Sequence, residues 1–246
     1  MTLFDPDPKL RWLFFLTHPD DELSICAWIR RLALAGSDVF LSWTHSNEER
    51  EAEARSAAEE LGVPQDRLFF HASPDGGVLD DLESLLPRFQ ELTAEIAPDR
   101  IVCGAFEQGH LDHDATNYLA NRVAKCPVLE VPWYHTYANL IQAVNRFAQP
   151  DGQQVLSLEP GETEFKKRLA RMYPSQRIGD LLVWYEVWRR LRGSREGLAE
   201  TERLRLQTHR DFLTPNLPPK LAGRVRRTGR WRTWEAAILA FDEEPG

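Results

Sequence analysis

The residues with the clearest capacity for chemistry are the five of the sequence HPDDE, at positions 18–22. An apolar run at 12–16, typical of a buried parallel strand, precedes them, and the apolar spacing at 23–29 predicts a helix. Open α/β sheets bind their ligands where strands end in this way. Two adjacent carboxylates at such a position ionise unfavourably without a cation. Any single acid here could cap the helix, but together they indicate a metal-binding or catalytic site.

A second cluster, HLDH at positions 110–113, has the same setting. It follows an apolar strand predicted at 100–105 and leads into a predicted helix near 114–124. Alone, it could be a polar loop or a helix-cap region. Two histidines and an aspartate are typical ligands of a catalytic Zn²⁺, which leaves a fourth position open. The two clusters at equivalent strand ends therefore favour one metal centre, with other acids and histidines left for proton transfer.

The elements that position these clusters follow from the apolar pattern of the first half. The predicted strands are 12–17, 39–44, 67–72, 100–105 and 128–131. The predicted helices between them are 23–35, 48–61, 80–96 and 114–124. This alternation predicts a Rossmann-like three-layer αβα fold with a mostly parallel sheet and right-handed crossovers. No GxGxxG follows the first strand, so a dinucleotide site has no support.

The second half is less regular. We predict an edge strand at 154–158, and helices at 162–172, 178–192 and 198–210. The expected organisation is a single domain, 1–246, with a core at about 10–177 and a mainly helical C-terminal extension at 178–246.

Composition bounds the class of protein. The 246 residues are 42% hydrophobic and 28% charged, as expected of a soluble globular protein with one sizeable core. A net charge of −8 argues against a nucleic-acid binder. The N-terminus lacks the features of a secretory signal, and no apolar run approaches the roughly 20 residues that span a bilayer. Three cysteines without CxxC spacing indicate buried reduced thiols, so we expect a cytoplasmic protein.

Taken together, HPDDE and HxDH resemble the metal-dependent deacetylases related to N-acetylglucosaminyl-phosphatidylinositol deacetylase, the PIG-L or LmbE-like family. Weaker features agree: an RxxE helix that ends in LGV at 61–63, a PDG loop at 74–76, and YPSQ at 173–176, which is similar to a YxSQ segment. The resemblance covers about residues 10–177, and the paired motifs are its most specific part.

The resemblance implies a role for each motif residue. The metal ligands would be His18, Asp21 and His113. Asp20 would be the general base, because a carboxylate that does not bind the metal can take the proton of the attacking water.

The same resemblance assigns the second cluster and the rim of the site. Protonated His110 would stabilise the oxyanion or protonate the leaving amine, with Asp112 orienting it. Arg50 and Asp75 match positions that contact substrate in the family, although a surface arginine and a turn aspartate are equally good interpretations.

Some positions depart from the family pattern or stay ambiguous. Gln108 occupies a position where some relatives carry a tyrosine, and an amide cannot donate a proton to the reaction. His45 lies where many relatives have a glycine-containing loop, and we favour a loop role for it. The basic segment 224–232 is more typical of a solvated face than of a phosphate site. Aromatic residues that either pack or stack on a sugar follow the fifth strand: Trp133, Tyr134, His135 and Tyr137.

The expected function is a metal-dependent N-deacetylase that acts on a small-molecule amino sugar or glycoconjugate, where the sugar rests on the resemblance alone. Two alternatives stay open: an amidohydrolase for a non-sugar N-acyl metabolite, and a non-catalytic metal- or ligand-binding protein. Intact Asp20 and His110 argue against the second alternative. Zn²⁺ and Fe²⁺ both suit two histidines and an aspartate, and the oligomeric state, including a homo-oligomer, stays open.

Overall fold

The first half of the chain forms the predicted alternation of strands and helices. The structure is a computed structural model that describes residues 2–135, 143–191, 193 and 197–243. Its first five strands are β1 Arg11–Leu16, β2 Asp38–His45, β3 Leu68–Ser73, β4 Arg100–Gly104 and β5 Val128–Val131. The helices between them are α1 Cys26–Ala35, α2 Glu48–Leu61, α3 Leu82–Ile96 and α4 Leu111–Val123.

Local signals explain why some bounds agree so closely with prediction. Helix α2 begins after Asn47, whose side chain accepts the backbone N–H of Arg50 at 3.0 Å. It ends at Gly62, which has a left-handed φ of 80° that favours glycine. Both ends are therefore specified within α2 and its immediate neighbours.

The second half adds strands as well as helices. A short hairpin pairs β6 Tyr134–His135 with β7 Ala143–Val144, and two longer strands follow, β8 Gln154–Ser157 and β9 Thr201–Leu206. The helices are α5 Pro160–Leu169, α6 Ile178–Leu191, α7 Pro219–Val225 and α8 Gly229–Glu243. The edge strand predicted at 154–158 and the helix predicted at 178–192 are confirmed.

The helix predicted at 198–210 is wrong, because this segment contains strand β9. Its charged side chains suggested an exposed helix, yet Glu202 and Arg205 are buried. Glu202 pairs with Lys166 and Arg205 pairs with Glu130, and both partners lie far away in sequence. Long-range charge pairing therefore overrides the local pattern.

The main sheet has the strand order β3-β2-β1-β4-β5-β9-β8. The first five strands are parallel, whereas β9 runs antiparallel to β5 and β8 runs antiparallel to β9. Because the chain proceeds from β1 in one direction and from β4 in the other, the switch point lies between these two neighbours. The carboxyl ends of β1 and β4, which carry the two motifs, border the same crevice.

Apolar side chains cover both faces of the sheet. One cluster includes Phe14, Trp28 and Trp43, and the other includes Phe15 and Phe89, whose rings stack at 4.2 Å. The predicted three-layer αβα fold is thus confirmed. No helix among the residues that the structure describes is long and apolar enough to cross a bilayer.

Candidate active site

The first motif folds into a tight buried turn after β1, which we call the HPDDE turn (residues 18–24). Residues Asp21–Ser24 form a 3₁₀ helix within it. Oδ2 of Asp21 accepts the backbone N–H groups of Thr17 at 3.0 Å and of His18 at 2.7 Å. These bonds fix the carboxylate and leave its other oxygen, Oδ1, to face the site.

The three predicted ligands converge at the end of the sheet. His18 Nδ1 lies 3.0 Å from His113 Nε2, which lies 3.6 Å from Asp21 Oδ1. A tetrahedral Zn²⁺ with ligands about 2.0–2.1 Å away separates its ligand atoms by about 3.3 Å. The three buried residues each offer one ligand atom, all within 4.8 Å of one another. Both the donor types and their spacing therefore fit a divalent metal.

Carboxylates on the far side of the His18 ring support the same conclusion. His18 Nε2 lies 3.3 Å from Asp75 Oδ1 and 3.5 Å from Asp112 Oδ2. Burial alone would lower the pKa of His18, but Asp112, Asp75 and the charge of Asp21 raise it to about 10. Carboxylates behind a ligating imidazole orient it and increase its basicity. This region of the site therefore favours positive charge.

His113 comes from the first turn of α4, and an aromatic ring holds it. The Trp133 ring meets the His113 ring edge-on, with centroids 4.5 Å apart. A Cβ atom at Gly104 would overlap the Trp133 ring, so only glycine leaves room for this packing at the end of β4. The ring and the small residue together set the position of the third ligand.

Asp20 sits beside the ligands in a strained conformation. Its φ of 121° is unfavourable for a residue with a side chain and costs roughly 1–3 kcal/mol. Arg50 Nη2 donates to Asp20 Oδ1 at 3.1 Å and to the Pro19 carbonyl at 2.6 Å, and Glu22 Oε2 accepts the Asp20 N–H at 3.2 Å. Burial raises the pKa of Asp20 above its usual range, and Arg50 opposes this. A raised pKa makes the carboxylate a better proton acceptor.

His110 occupies the N-cap of α4 and reaches the cleft. Its Nδ1 accepts the backbone N–H of Asp112 at 3.2 Å, which leaves the proton of the neutral ring on Nε2. Burial lowers the pKa of His110, and the charge of Asp112 opposes this. The ring lies 5.5 Å from that of His18, and its side chain is 34% exposed. It is therefore placed to donate a hydrogen bond from Nε2.

The Asp112 carboxylate makes contacts that the sequence did not indicate. It is fully buried and accepts the backbone N–H groups of Gly76 at 2.7 Å and of Val78 at 3.3 Å. Asp112 thus orients His110 through its backbone and holds the PDG loop through its side chain. The held loop carries Asp75, whose pKa the neighbouring His18 holds well below its usual range.

Six of the eight predicted site residues line a pocket of about 750 Å³, and Asp112 and His113 lie behind them, outside its described lining. The predicted site residues along its sheet edge are His18, Asp20, Asp21, Arg50, Asp75 and His110. The opposite wall comes from the second half of the chain and includes Lys166, Gln176, Ile178, Val187 and Leu198. None of these five was predicted as a site residue. Gln176 belongs to the YPSQ segment, and nothing in the local sequence distinguishes the other four from an ordinary helix or loop.

One contact explains how two of the weaker motifs cooperate. Glu53, the acid of the RxxE helix, accepts the backbone N–H of Ser175 at 2.9 Å and its hydroxyl at 2.6 Å. Ser175 belongs to the YPSQ segment, so this contact anchors the segment that leads into the opposite wall.

The structure also gives the locations of residues whose roles the sequence left open. His45 is buried and donates from Nδ1 to the Ser73 carbonyl at 2.7 Å. Gln108 is fully buried with a φ of 53°, and it is not among the described residues that line the pocket. Trp133 does line the pocket, and no described lining residue comes from 224–232. The side chains of Tyr134 and His135, and all of Tyr137, lie outside the described residues.

Comparisons with known proteins agree with the fold. The A40926 pseudoaglycone deacetylase Dbv21 is similar, with a TM-score of 0.60 at 16% identity, over 80% of this chain and 97% of that chain. N,N'-diacetylchitobiose deacetylase from Pyrococcus horikoshii is similar with a TM-score of 0.53 at 14% identity, over 84% of this chain and 87% of that chain. GalB, the 4-carboxy-2-hydroxymuconate hydratase from Pseudomonas putida KT2440, is similar with a TM-score of 0.56 at 15% identity, over 85% of this chain and 100% of that chain. At these identities the likeness shows a shared fold.

Sequence comparison is more specific over the motif-bearing half. No curated protein matches the chain. Residues 13–124 match the family model for PIG-L, described as GlcNAc-PI de-N-acetylase. The matched segment contains both motifs and all eight predicted site residues, so the match agrees with the resemblance that the paired motifs indicated.

Proposed function

We propose that this protein is a metal-dependent hydrolase that removes an N-acetyl group from an amino sugar or a glycoconjugate. One observation carries the proposal. Three ligand-type side chains, His18, Asp21 and His113, converge next to Asp20 and His110, and all of these except His113 line the pocket of about 750 Å³. A site that only binds metal has no need of a strained carboxylate beside the ligands.

Zinc is the proposed metal, and Fe²⁺ is the alternative that the same donor set admits. His18 Nδ1, His113 Nε2 and the Asp21 carboxylate would hold it. When bound, a divalent metal of this kind supplies Lewis acidity, which polarises an amide carbonyl and makes water more acidic.

The remaining chemistry belongs to two side chains of the pocket. Asp20 takes a proton from the attacking water, and its bond from Arg50 keeps the accepting carboxylate aimed at the site. His110 presents Nε2–H to the oxygen that becomes negative as the amide is attacked. A proton must also reach the departing amine, and Asp20, once protonated, can deliver it.

The substrate class rests on the family match and on the pocket. The description of the matched family names a GlcNAc conjugate as the substrate. Two proteins of the same fold are deacetylases of a pseudoaglycone and of diacetylchitobiose. Arg50 and Asp75 lie at the pocket wall, where a guanidinium and a carboxylate suit hydroxyl groups. Free cysteines at 26, 103 and 126 support a reducing, cytoplasmic location.

The test is an amine-release assay with Zn²⁺-loaded and Fe²⁺-loaded protein. The panel contains N-acetylated sugars, their glycoconjugates and N-acyl compounds without a sugar. We expect release from at least one sugar substrate, and loss of release in the matched Asp20→Asn variant. Amine release only from the non-sugar compounds would show that the substrate is a non-sugar N-acyl compound. No amine release from any compound would contradict the proposed hydrolase activity.

A further inference from the structure

A buried carboxylate from the end of the sheet caps the helix that follows the HPDDE turn. Glu202 in β9 is fully buried, and its oxygens accept the backbone N–H groups of Ala27 and Trp28, each at 2.9 Å. Helix α1 begins at Cys26, and the residue before it, Ile25, provides no side-chain cap. The free N–H groups of this helix end are therefore satisfied by a residue about 175 positions later.

Lys166 connects the same carboxylate to the turn itself. Its Nζ donates to Glu202 Oε1 at 2.9 Å and to the backbone carbonyl of Ser24 at 3.3 Å. Ser24 is the last residue of the 3₁₀ helix that begins with Asp21. One ammonium group thus holds the end of the HPDDE turn, while its partner holds the start of α1.

A local residue could satisfy this helix end more simply. A serine or threonine before α1 would cap it without burying charge. The ion pair instead fixes where the helix start and the turn lie relative to β9 and α5. Removing either partner leaves an unpaired charge in a buried place, so the surrounding backbone must move or admit water.

We propose that Glu202 and Lys166 are positioning residues for the metal centre, holding Asp21 at its ligating distance from His18 and His113. The inference rests on the proposed function only in that a metal binds these three ligands. Both positioning residues lie outside the segment 13–124 that matches the family. The second half of the chain is therefore part of the metal site's construction.

The first measurement is metal affinity. Glu202→Gln and Lys166→Met are compared with wild type by competition for Zn²⁺ against a chromogenic chelator, at a temperature where circular dichroism shows each protein folded. We expect binding about 10–100-fold weaker, the effect of losing support behind a ligand. The matched control is Arg168→Met, which removes an exposed cation of α5 paired with Glu60, and it should stay within about twofold of wild type.

The second measurement needs no metal. Backbone N–H groups of Thr17 and His18 are protected by Asp21, so a loosened turn should exchange its amide hydrogens faster. We expect exchange in a peptide covering 17–25 to be at least about tenfold faster in both variants, and unchanged in Arg168→Met. Lys166→Arg should restore part of the protection, because it keeps the charge.

The outcomes separate this inference from the proposed function. Variants that lose thermal stability but keep wild-type metal affinity and exchange over 17–25 would show a merely structural ion pair and overturn the proposal. If the first pair does not fold, Glu202→Asp, whose shorter side chain weakens the same contacts, gives the same comparison. If wild type binds no metal, the proposed metal centre fails, and faster exchange in the variants still decides whether the pair holds the turn.

Discussion

The two walls of the pocket are built in different ways. At the sheet edge, Asp21 is held by backbone groups three and four residues away. On the opposite side, Lys166 reaches the HPDDE turn from 142 residues away, and Glu202 reaches the start of α1 from 175 residues away. The Asp21 carboxylate is thus held by short-range structure, whereas the support on the other side is long-range. Motifs therefore identify the proposed site residues and leave most of their support unidentified.

The largest expected effect is removal of a ligand from the sheet-edge wall. His18→Ala, Asp21→Ala and His113→Ala should each lose most of their divalent metal, because a tetrahedral site with two protein ligands is incomplete. Elemental analysis of purified variants measures the metal. The fold should persist by circular dichroism, since the apolar clusters are untouched. Stoichiometric metal in all three variants would rule out this ligand set.

Asp20→Asn tests chemistry apart from binding on the same wall. The variant keeps its size and its neighbours but cannot accept the water proton, so turnover should fall at least ~10²-fold while the metal stays. Steady-state kinetics on a verified substrate, with metal content measured in parallel, gives both values. Turnover near that of wild type would mean that another group is the base.

Variants of Arg50 and Asp75 test two roles, the positioning of Asp20 and contact with substrate at the pocket wall. Each replacement by alanine should cost roughly 1–3 kcal/mol in kcat/KM, the range for an unsatisfied polar partner. Because Arg50 bonds to Asp20, Arg50→Ala should lower kcat without release of metal. Because Asp75 lies 3.3 Å behind the ligand His18, Asp75→Ala should raise KM and also weaken metal binding. A kcat/KM equal to wild type for both variants would make the two residues structural and would remove the residue-level support for a sugar.

The elements that the sequence predicts correctly are those with local signals, and the elements that it misses depend on distant partners. Helix α2 was predicted at its observed bounds because Asn47 and Gly62 specify its ends locally. The meeting of the two motifs was likewise predicted, since parallel strands bring their carboxyl ends to one edge. Strand β9 was predicted as a helix because its charged residues suggested an exposed segment. Their partners, Lys166 and Glu130, lie too far away in sequence for a local pattern to reveal that the charges are buried and paired. The contact of Asp112 with the PDG loop was hidden for the same reason.

The smallest expected effect concerns a buried histidine away from the pocket. His71 in β3 has Nε2 2.8 Å from the Ser42 hydroxyl, and it is not among the described residues that line the pocket. Burial, and to a lesser extent Arg88, lowers its pKa from 6.5 to about 4. Between these values the unfolded chain binds more protons than the folded one, so stability must fall as pH decreases.

The contribution of His71 should be about 2 kcal/mol lower at pH 5 than at pH 7, since each pH unit in this window is worth at most about 1.4 kcal/mol. His71→Gln keeps hydrogen-bonding capacity toward Ser42 but does not titrate, so its stability should depend less on pH by that amount. Urea unfolding of both proteins at the two pH values, with metal removed by chelator, measures the difference. The site carboxylates titrate alike in both proteins and cancel. Parallel pH dependence would mean that His71 titrates normally in the folded protein. If His71→Gln shows the expected smaller pH dependence of stability and keeps the turnover of wild type at pH 7, then His71 affects stability without taking part in the chemistry.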